Sequence, residues 1–126
     1  MSMRPHWRFE DLEIWQLSRD LAVKFHKVAE RLEDRHLYRY AEQLRAAGLS
    51  PSNNISEGSG SSSKREFLQF LNIARRSLFE DVSMLLVFEK LGQLEAEEAC
   101  ELLWDCDVLS RKITNFARRL DNNKCS

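Results

Sequence analysis

The chain has 126 residues, 43% of them hydrophobic and 31% charged, the profile of one globular domain and not of a disordered segment. Only 4 Gly and 2 Pro leave too few turn formers for an all-β fold, and a formal net charge of −1 excludes a polybasic chain that binds nucleic acid by bulk charge. No apolar run reaches membrane-spanning length, and the opening MSMRPHW lacks the apolar centre of a secretory signal.

Hydrophobic periodicity predicts a first helix over about 10–32. Ile14, Leu21, Phe25, Val28 and Leu32 recur at spacings of seven, four, three and four, the stripe of a helix that faces a bundle. Trp15, Ala22 and Ala29 form a row beside it, and Asp11 and Glu13 suit the positive end of the helix dipole. A second helix is expected over 37–57, with Tyr40, Leu44, Ala47 and Ile55 on its buried side. Pro51 breaks its hydrogen-bond ladder and Gly48 weakens it, so a kink is expected between Ala47 and Ser50.

A third helix is expected to start at Ser63, because Ser63-Lys64-Arg65-Glu66 fits a capping box. Phe67, Phe70, Leu71, Ala74, Leu78, Leu85 and Phe88 follow at helical spacing. Phe79, Val82, Met84, Leu86 and Val87 fall off that stripe. A helix apolar on every side is central in its fold or buries a second face against another chain, so Phe79, Val82 and Leu86 are the expected oligomer contacts. Gly92 stands where a left-handed residue ends a helix. The fourth helix covers about 95–120, with Ala99, Leu102, Leu103, Cys106, Leu109, Ile113, Phe116 and Leu120 as its stripe. Residues 121–126 are expected to fray.

Between the second and third patterns lies LSPSNNISEGSGSSSKREF, residues 49–67, with eleven Ser, Asn or Gly among nineteen. It is too short to separate domains. Gly58 and Gly60 read as helix stops and Ser63 as a helix start, so the stretch is an interhelical joint. The whole is therefore expected to be one all-α domain, residues 1–126. It is an antiparallel up-down four-helix bundle with helix two kinked near Pro51 and a short N-terminal arm, residues 1–8.

Catalytic chemistry is not written in these residues. The run Gly58-Ser59-Gly60-Ser61-Ser62-Ser63-Lys64 lacks the Gly before Lys, the hydroxyl after it and the preceding strand of a phosphate loop. His6, His26 and His36 show no ligand spacing, and Cys100 and Cys106, six apart on a helix, point in different directions. No metal, cofactor or catalytic residue is expected. The third thiol, Cys125, makes the cysteine count odd, which with no secretory signal reads as reduced and cytoplasmic. Trp7, Trp15 and Trp104 read first as core or interface anchors; Trp7, between Arg4 and Arg8, is the best situated to stack on a base.

Charge is segregated along the chain. Residues 35–76 carry seven basic and three acidic side chains, residues 77–107 one and nine, and residues 108–126 five and one. In an up-down bundle one pole collects Arg4, Arg8, Lys64, Arg65, Arg111, Lys112, Arg118, Arg119 and Lys124, while Glu30, Glu33, Asp34, Glu89, Glu95, Glu97, Glu98 and Glu101 gather at the other. Dipole compensation explains acidic helix starts and basic helix ends. It does not explain Lys64 and Arg65 at a helix start. The basic pole is thus a candidate surface for a phosphate backbone, carried by Lys64, Arg65, Arg118 and Arg119 with Arg4 and Arg8 assisting.

Three motifs resemble one family. Phe9-Glu10-Asp11-Leu12-Glu13-Ile14-Trp15-Gln16 is similar to its opening Phe-x-x-Leu-x-Val/Ile-Trp-Gln pattern. The segment from Gln43 through Asn53-Asn54-Ile55-Ser56-Glu57-Gly58 resembles its second-helix signature, Q-x-R-R-A-A-x-S-x-x-x-N-I-A-E-G, without a gap. Glu66-Phe67, Phe70-Leu71, Ile73-Ala74, Ser77 and Glu80 follow its third-helix pattern. The family is that of the four-helix-bundle proteins encoded by intervening sequences of bacterial 23S rRNA genes. Ala46, Gly48 and Ser56 replace its usual Arg, Ala and Ala; Pro51 stands where a β-branched residue is common, and Arg76 replaces a small Gly.

The resemblance implies a ring-like homopentamer with no catalytic residues. It also implies roles for Asn54, Glu57 and Gly58 in orienting the interhelical joint or lining a subunit contact. Similar bundles serve as accessory subunits of reverse-transcriptase systems. Two readings of function follow. One is a non-enzymatic cytoplasmic assembly that binds RNA or DNA through its basic pole. The other is a scaffold that docks a protein partner without touching nucleic acid.

Overall fold

A computed structural model describes residues 3–123. Four helices form: α1 (Glu13–Asp34), α2 (Tyr38–Ser59), α3 (Lys64–Lys90) and α4 (Ala96–Asn122). No strand occurs among the described residues. Lys124 and Cys125 lie outside them.

The local signals that start and stop these helices are specific. At the start of α3 the Ser63 hydroxyl accepts from the Glu66 N–H at 3.1 Å, satisfying one of the orphan donors of the first turn. At its end Gly92 takes φ +77°, and the Gly92 and Gln93 N–H groups return to the carbonyls of Glu89 and Phe88. This closes a Schellman turn. α1 ends in the same way without glycine. His36 adopts φ +64° while the N–H groups of His36 and Leu37 bond to Glu33 and Leu32 carbonyls. Histidine is among the few side chains that tolerate this region, and its Nδ1 lies 2.8 Å from the Tyr38 hydroxyl.

Three boundaries differ from the sequence expectation. α1 does not begin at residue 10. Arg8–Asp11 form a separate 3-10 turn, fixed by the Glu10 carboxylate, which accepts from the Trp7 N–H at 2.8 Å and from Arg4 at 2.6 Å. Leu12 is then extended, and the helix restarts at Glu13. Gly58 is not a helix stop, because α2 continues through it to Ser59 with Gly60 as its cap. Residues 121 and 122 do not fray; the Lys64 ammonium donates to the carbonyls of Asp121 at 3.3 Å and Asn123 at 3.1 Å and holds that last turn.

α2 lies between α1 and α3, and α4 closes the bundle against α3 and α1, with no close backbone approach between the diagonal pairs α1–α3 and α2–α4. Side-chain contacts run from the start of one helix to the end of the next, as antiparallel neighbours make them. Tyr40 tilts on Phe88 with ring centres 5.4 Å apart, and Phe67 on Phe116 at 5.7 Å. Lys112 reaches Glu13 at 3.1 Å, and Arg31 pairs with Glu98. The core is one contiguous cluster in which Phe25, Leu32, Leu44, Ile55, Leu71, Leu85, Leu102 and Leu109 are buried. Each such side chain contributes about 1.5–3 kcal/mol of apolar burial. Tyr40, expected on the buried side of α2, lies exposed at the core margin.

Two glycines set the spacing of α2. A Cβ at Gly48 would stand 2.7 Å from Phe25 Cβ, and one at Gly58 2.7 Å from Phe70 Cβ and 2.9 Å from the Phe67 ring. Neither neighbour is a flexible chain end, so the helices approach only because these positions carry no side chain. Gly48→Ala and Gly58→Ala are each expected to lose about 1–3 kcal/mol in urea titrations, overpacking exceeding the gain in helix propensity of about 1 kcal/mol. Gly60→Ala, whose Cβ would meet nothing nearer than a carbonyl at 3.5 Å, serves as the control and is expected to change stability by less than about 0.5 kcal/mol. Wild-type stability in Gly48→Ala would rule out the close approach.

Candidate functional site

The pole expected to be basic is built where α3 starts and α4 ends. The two Lys64 bonds to the α4 terminus put the first turn of α3 beside the last turn of α4. Arg65, Arg118 and Arg119 are exposed around this junction, and none of the three makes an ion pair among the described residues. Arg118 also lines an α3–α4 groove of about 240 Å³ together with Leu68, Asn72, Arg75, Thr114 and Asp121. Arg75, which sequence reasoning did not single out, thus faces the same groove as Arg118. Its guanidinium donates to Asn72 at 3.1 Å and lies over the Phe79 ring. Antiparallel register is the signal that would have found it, since it brings the second and third turns of α3 opposite the last turns of α4.

The remaining described cations of this pole have structural employment. Lys64 caps α4. Arg8 donates to the Ser59 carbonyl at the end of α2, and Arg4 grips Glu10. That hydrogen bond, reinforced by the Trp7 N–H, holds the Glu10 carboxyl down to about 2. Lys112 is paired with Glu13 at 3.1 Å and Arg111 with Asp107 at 3.2 Å. Acidic side chains therefore share the pole, and its field is weaker than the basic residues alone suggest. The acidic pole is compensated in the same way. Glu33 is held by Arg45 at 2.6 Å and its carboxyl lowered by that bond, Glu98 meets Arg31, and Lys24 spans Glu101 and Asp105 at 3.1 and 2.7 Å. The Asp105 and Glu101 bonds raise the Lys24 ammonium.

The residues of the second-helix motif serve α2 itself. The Asn54 amide donates to the Ser50 carbonyl at 2.9 Å and reaches the Ser50 hydroxyl at 3.2 Å, a brace within the helix just past Pro51. Gly58 is the contact for Phe67 and Phe70. Glu57 is exposed and borders a cleft of about 510 Å³ under the N-terminal arm with Trp7, Arg8 and Gly60. Of the expected oligomer contacts, Phe79 and Leu86 stand 62% and 48% exposed. Val82 is half-buried and packs against the core. Trp104, 62% exposed, lines a second α3–α4 groove of about 390 Å³ with Cys100, Leu103, Asp107 and Arg111. Trp15 packs edge-on against Phe9 at 5.0 Å.

One group escaped the sequence reading. Asp81 is 0% exposed, and neither carboxyl oxygen has a hydrogen-bond partner. Its position betrays it: seven after Ala74, three after Leu78, four before Leu85 and seven before Phe88, it lies on the buried stripe. Burial first, and the Glu80 charge second, push its carboxyl up to about 8. Cys106, also buried, is pushed up to about 12 by desolvation and by the Asp81 and Asp105 charges. No group of three or more His, Cys, Asp or Glu among the described residues could hold a metal ion. No helix among them is long and apolar enough to cross a membrane.

A family model described as 23S rRNA-intervening sequence protein matches residues 10–115. No curated protein matches the chain.

Lys64 and Arg65 are neighbours with different jobs, which substitution separates. Lys64→Ala is expected to lower stability by about 0.5–1 kcal/mol through the unshielded α4 terminus, while Arg65→Ala stays within about 0.5 kcal/mol. Thermal melts of the two variants check this.

Proposed function

The chain belongs to the 23S rRNA-intervening sequence protein family, and on that footing we propose that it is a non-enzymatic, cytoplasmic, ring-forming bundle that holds nucleic acid on one pole. The observation that carries the reading is the Lys64 contact with the α4 terminus. It groups Arg65, Arg118 and Arg119, which make no ion pair or hydrogen bond among the described residues, with Arg75 in the adjoining groove. Guanidinium groups suit phosphate oxygens because their donors form a planar fork. One subunit offers few such groups, too few for tight binding. A homopentamer repeats them around one face, so that weak contacts act together.

Binding to a structured RNA and to duplex DNA, measured at two salt concentrations, tests this. The triple variant Arg65→Glu, Arg118→Glu, Arg119→Glu is expected to flatten the slope of log affinity against log salt by about two to three. It should retain the wild-type melting temperature, since none of the three is paired. No binding at low salt, or an unchanged slope, removes nucleic acid from the reading. The alternative is then a scaffold for a protein partner, which the exposed Trp104 beside its groove favours, because exposed tryptophan is a common interface anchor.

Assembly is tested separately. Sedimentation is expected to give five times the mass of one chain. Phe79→Glu with Leu86→Glu should reduce it to the monomer mass without loss of helical signal, since both side chains are exposed in the single chain. A wild-type monomer at micromolar concentration would refute the ring.

A further inference from the structure

Asp81 has no task in that reading, yet it stands in the middle of the bundle. Its neighbours on the α3 stripe, Leu78 and Leu85, are buried, and no donor reaches either of its oxygens. The titratable groups around it are few. Cys106 approaches from α4, with Asp105 beside it tied to Lys24 at 2.7 Å; Glu80 sits on its own helix. The buried residues of α1 and α2 include no charged side chain. The buried polar groups there are Ser18 and Ser52, whose hydroxyls donate to the carbonyls of Ile14 and Leu49, and Ser59, bonded to Ser56. Nothing nearby can neutralise a carboxylate.

The helices around this acid are not equally held. α2 is locked to α1 and α3 by the close approaches at Gly48 and Gly58. α4 is joined to the core by Leu102, Leu109 and Ile113 and to α1 by surface ion pairs at Lys24, Arg31 and Lys112, which add little, and it carries no glycine that seats its backbone against a neighbour. Its seam with α3 is bordered by two open grooves. Of the four helices α4 makes the fewest close backbone approaches to its neighbours, so it gives way most readily.

We propose that Asp81 is a proton-held lock on the α3–α4 seam: the bundle closes on the neutral acid, and loss of the proton releases α4 and exposes Cys106. In the closed state the carboxyl carries its proton. A carboxylate at the same place has neither hydrogen bond nor counter-charge, so ionisation and opening occur together. The folded state holds this proton while the unfolded chain releases it above the usual carboxylate range. The contribution of Asp81 therefore favours the fold at low pH and is lost as pH rises towards about 8. Lys24, raised by its two carboxylates, stays charged through this window and does not produce the effect.

The test uses the full chain with Cys100→Ser and Cys125→Ser, so that Cys106 is the single thiol. Its reaction rate with iodoacetamide is followed from pH 6.5 to 9.5 and divided by the rate in the urea-unfolded chain at each pH, which cancels ionisation of a free thiol. With Asp81 present this ratio is expected to climb about ten-fold between pH 7 and 9 and to level off above about 8. With Asp81→Leu it is expected to stay flat, and Asp81→Asn, nearly equal in shape, serves if the leucine variant does not fold. The same climb in both chains, or no climb in either, overturns the proposal. Amide exchange of the unsubstituted chain reads the opening independently. Loss of protection confined to α4 at pH 9 supports the lock, and equal loss in all four helices overturns it.

Discussion

The arrangement depends on how closely α2 can lie against its neighbours. Most of α2 is an unpromising core element, carrying Pro51 within it and rich in serine and asparagine. What it lacks in apolar volume it makes up in proximity. At Gly48 and Gly58 the backbone itself is the packing surface, meeting Phe25 on one side and Phe67 and Phe70 on the other. The aromatic rings supply the area. Ser52 and Ser59 remain buried there without penalty because each hydroxyl returns to a carbonyl of its own helix, Ser52 to Leu49 and Ser59 to Ser56. A helix with larger side chains at these places would stand further out, and α1 and α3 would lose the fixed distance that sets the rest of the bundle.

Electrostatics follows from that scaffold and not from the sequence order of charges. Segments of the chain differ sharply in net charge, but antiparallel folding sets acidic α4 against cations of α1, as in Lys24 with Glu101 and Asp105. Long-range polarity is thereby spent in local pairs. Arg65, Arg118 and Arg119 stay outside those pairs among the described residues. Function by charge is thus a property of register, which the linear pattern cannot express.

Several elements were nevertheless legible. Ser63 announced the start of α3 because its hydroxyl has one local partner three residues on, and Gly92 its end because little else takes that backbone angle. The leucines of the four stripes were found by spacing alone. Gly58 was misread, since a glycine that permits close packing and one that ends a helix look alike in sequence. The end of α1 at His36 was unreadable for the opposite reason: the left-handed residue is not glycine. The 3-10 turn at Arg8–Asp11 depends on a carboxylate gripping an arginine six residues away and the Trp7 N–H, a coincidence no periodicity reports. Asp81 is legible by position, on the stripe of Ala74, Leu78, Leu85 and Phe88, but its charge argues against burial.

α4 joins these threads. It carries Arg118 and Arg119, yet its C-terminus reaches α3 at the pole through Lys64 and two backbone carbonyls. The grouping of the free arginines therefore depends on α4 remaining seated. Farther up the same helix, buried Cys106 feels the charge of Asp81, the buried acid among the described residues whose oxygens have no partner. A helix with the fewest close backbone approaches, whose buried stripe meets a protonated carboxyl, is the weakest boundary of the bundle. Any opening of α4 at Asp81 would also part Arg118 from Arg65 and Arg75, so core protonation and the geometry of the cationic pole are coupled through this one helix.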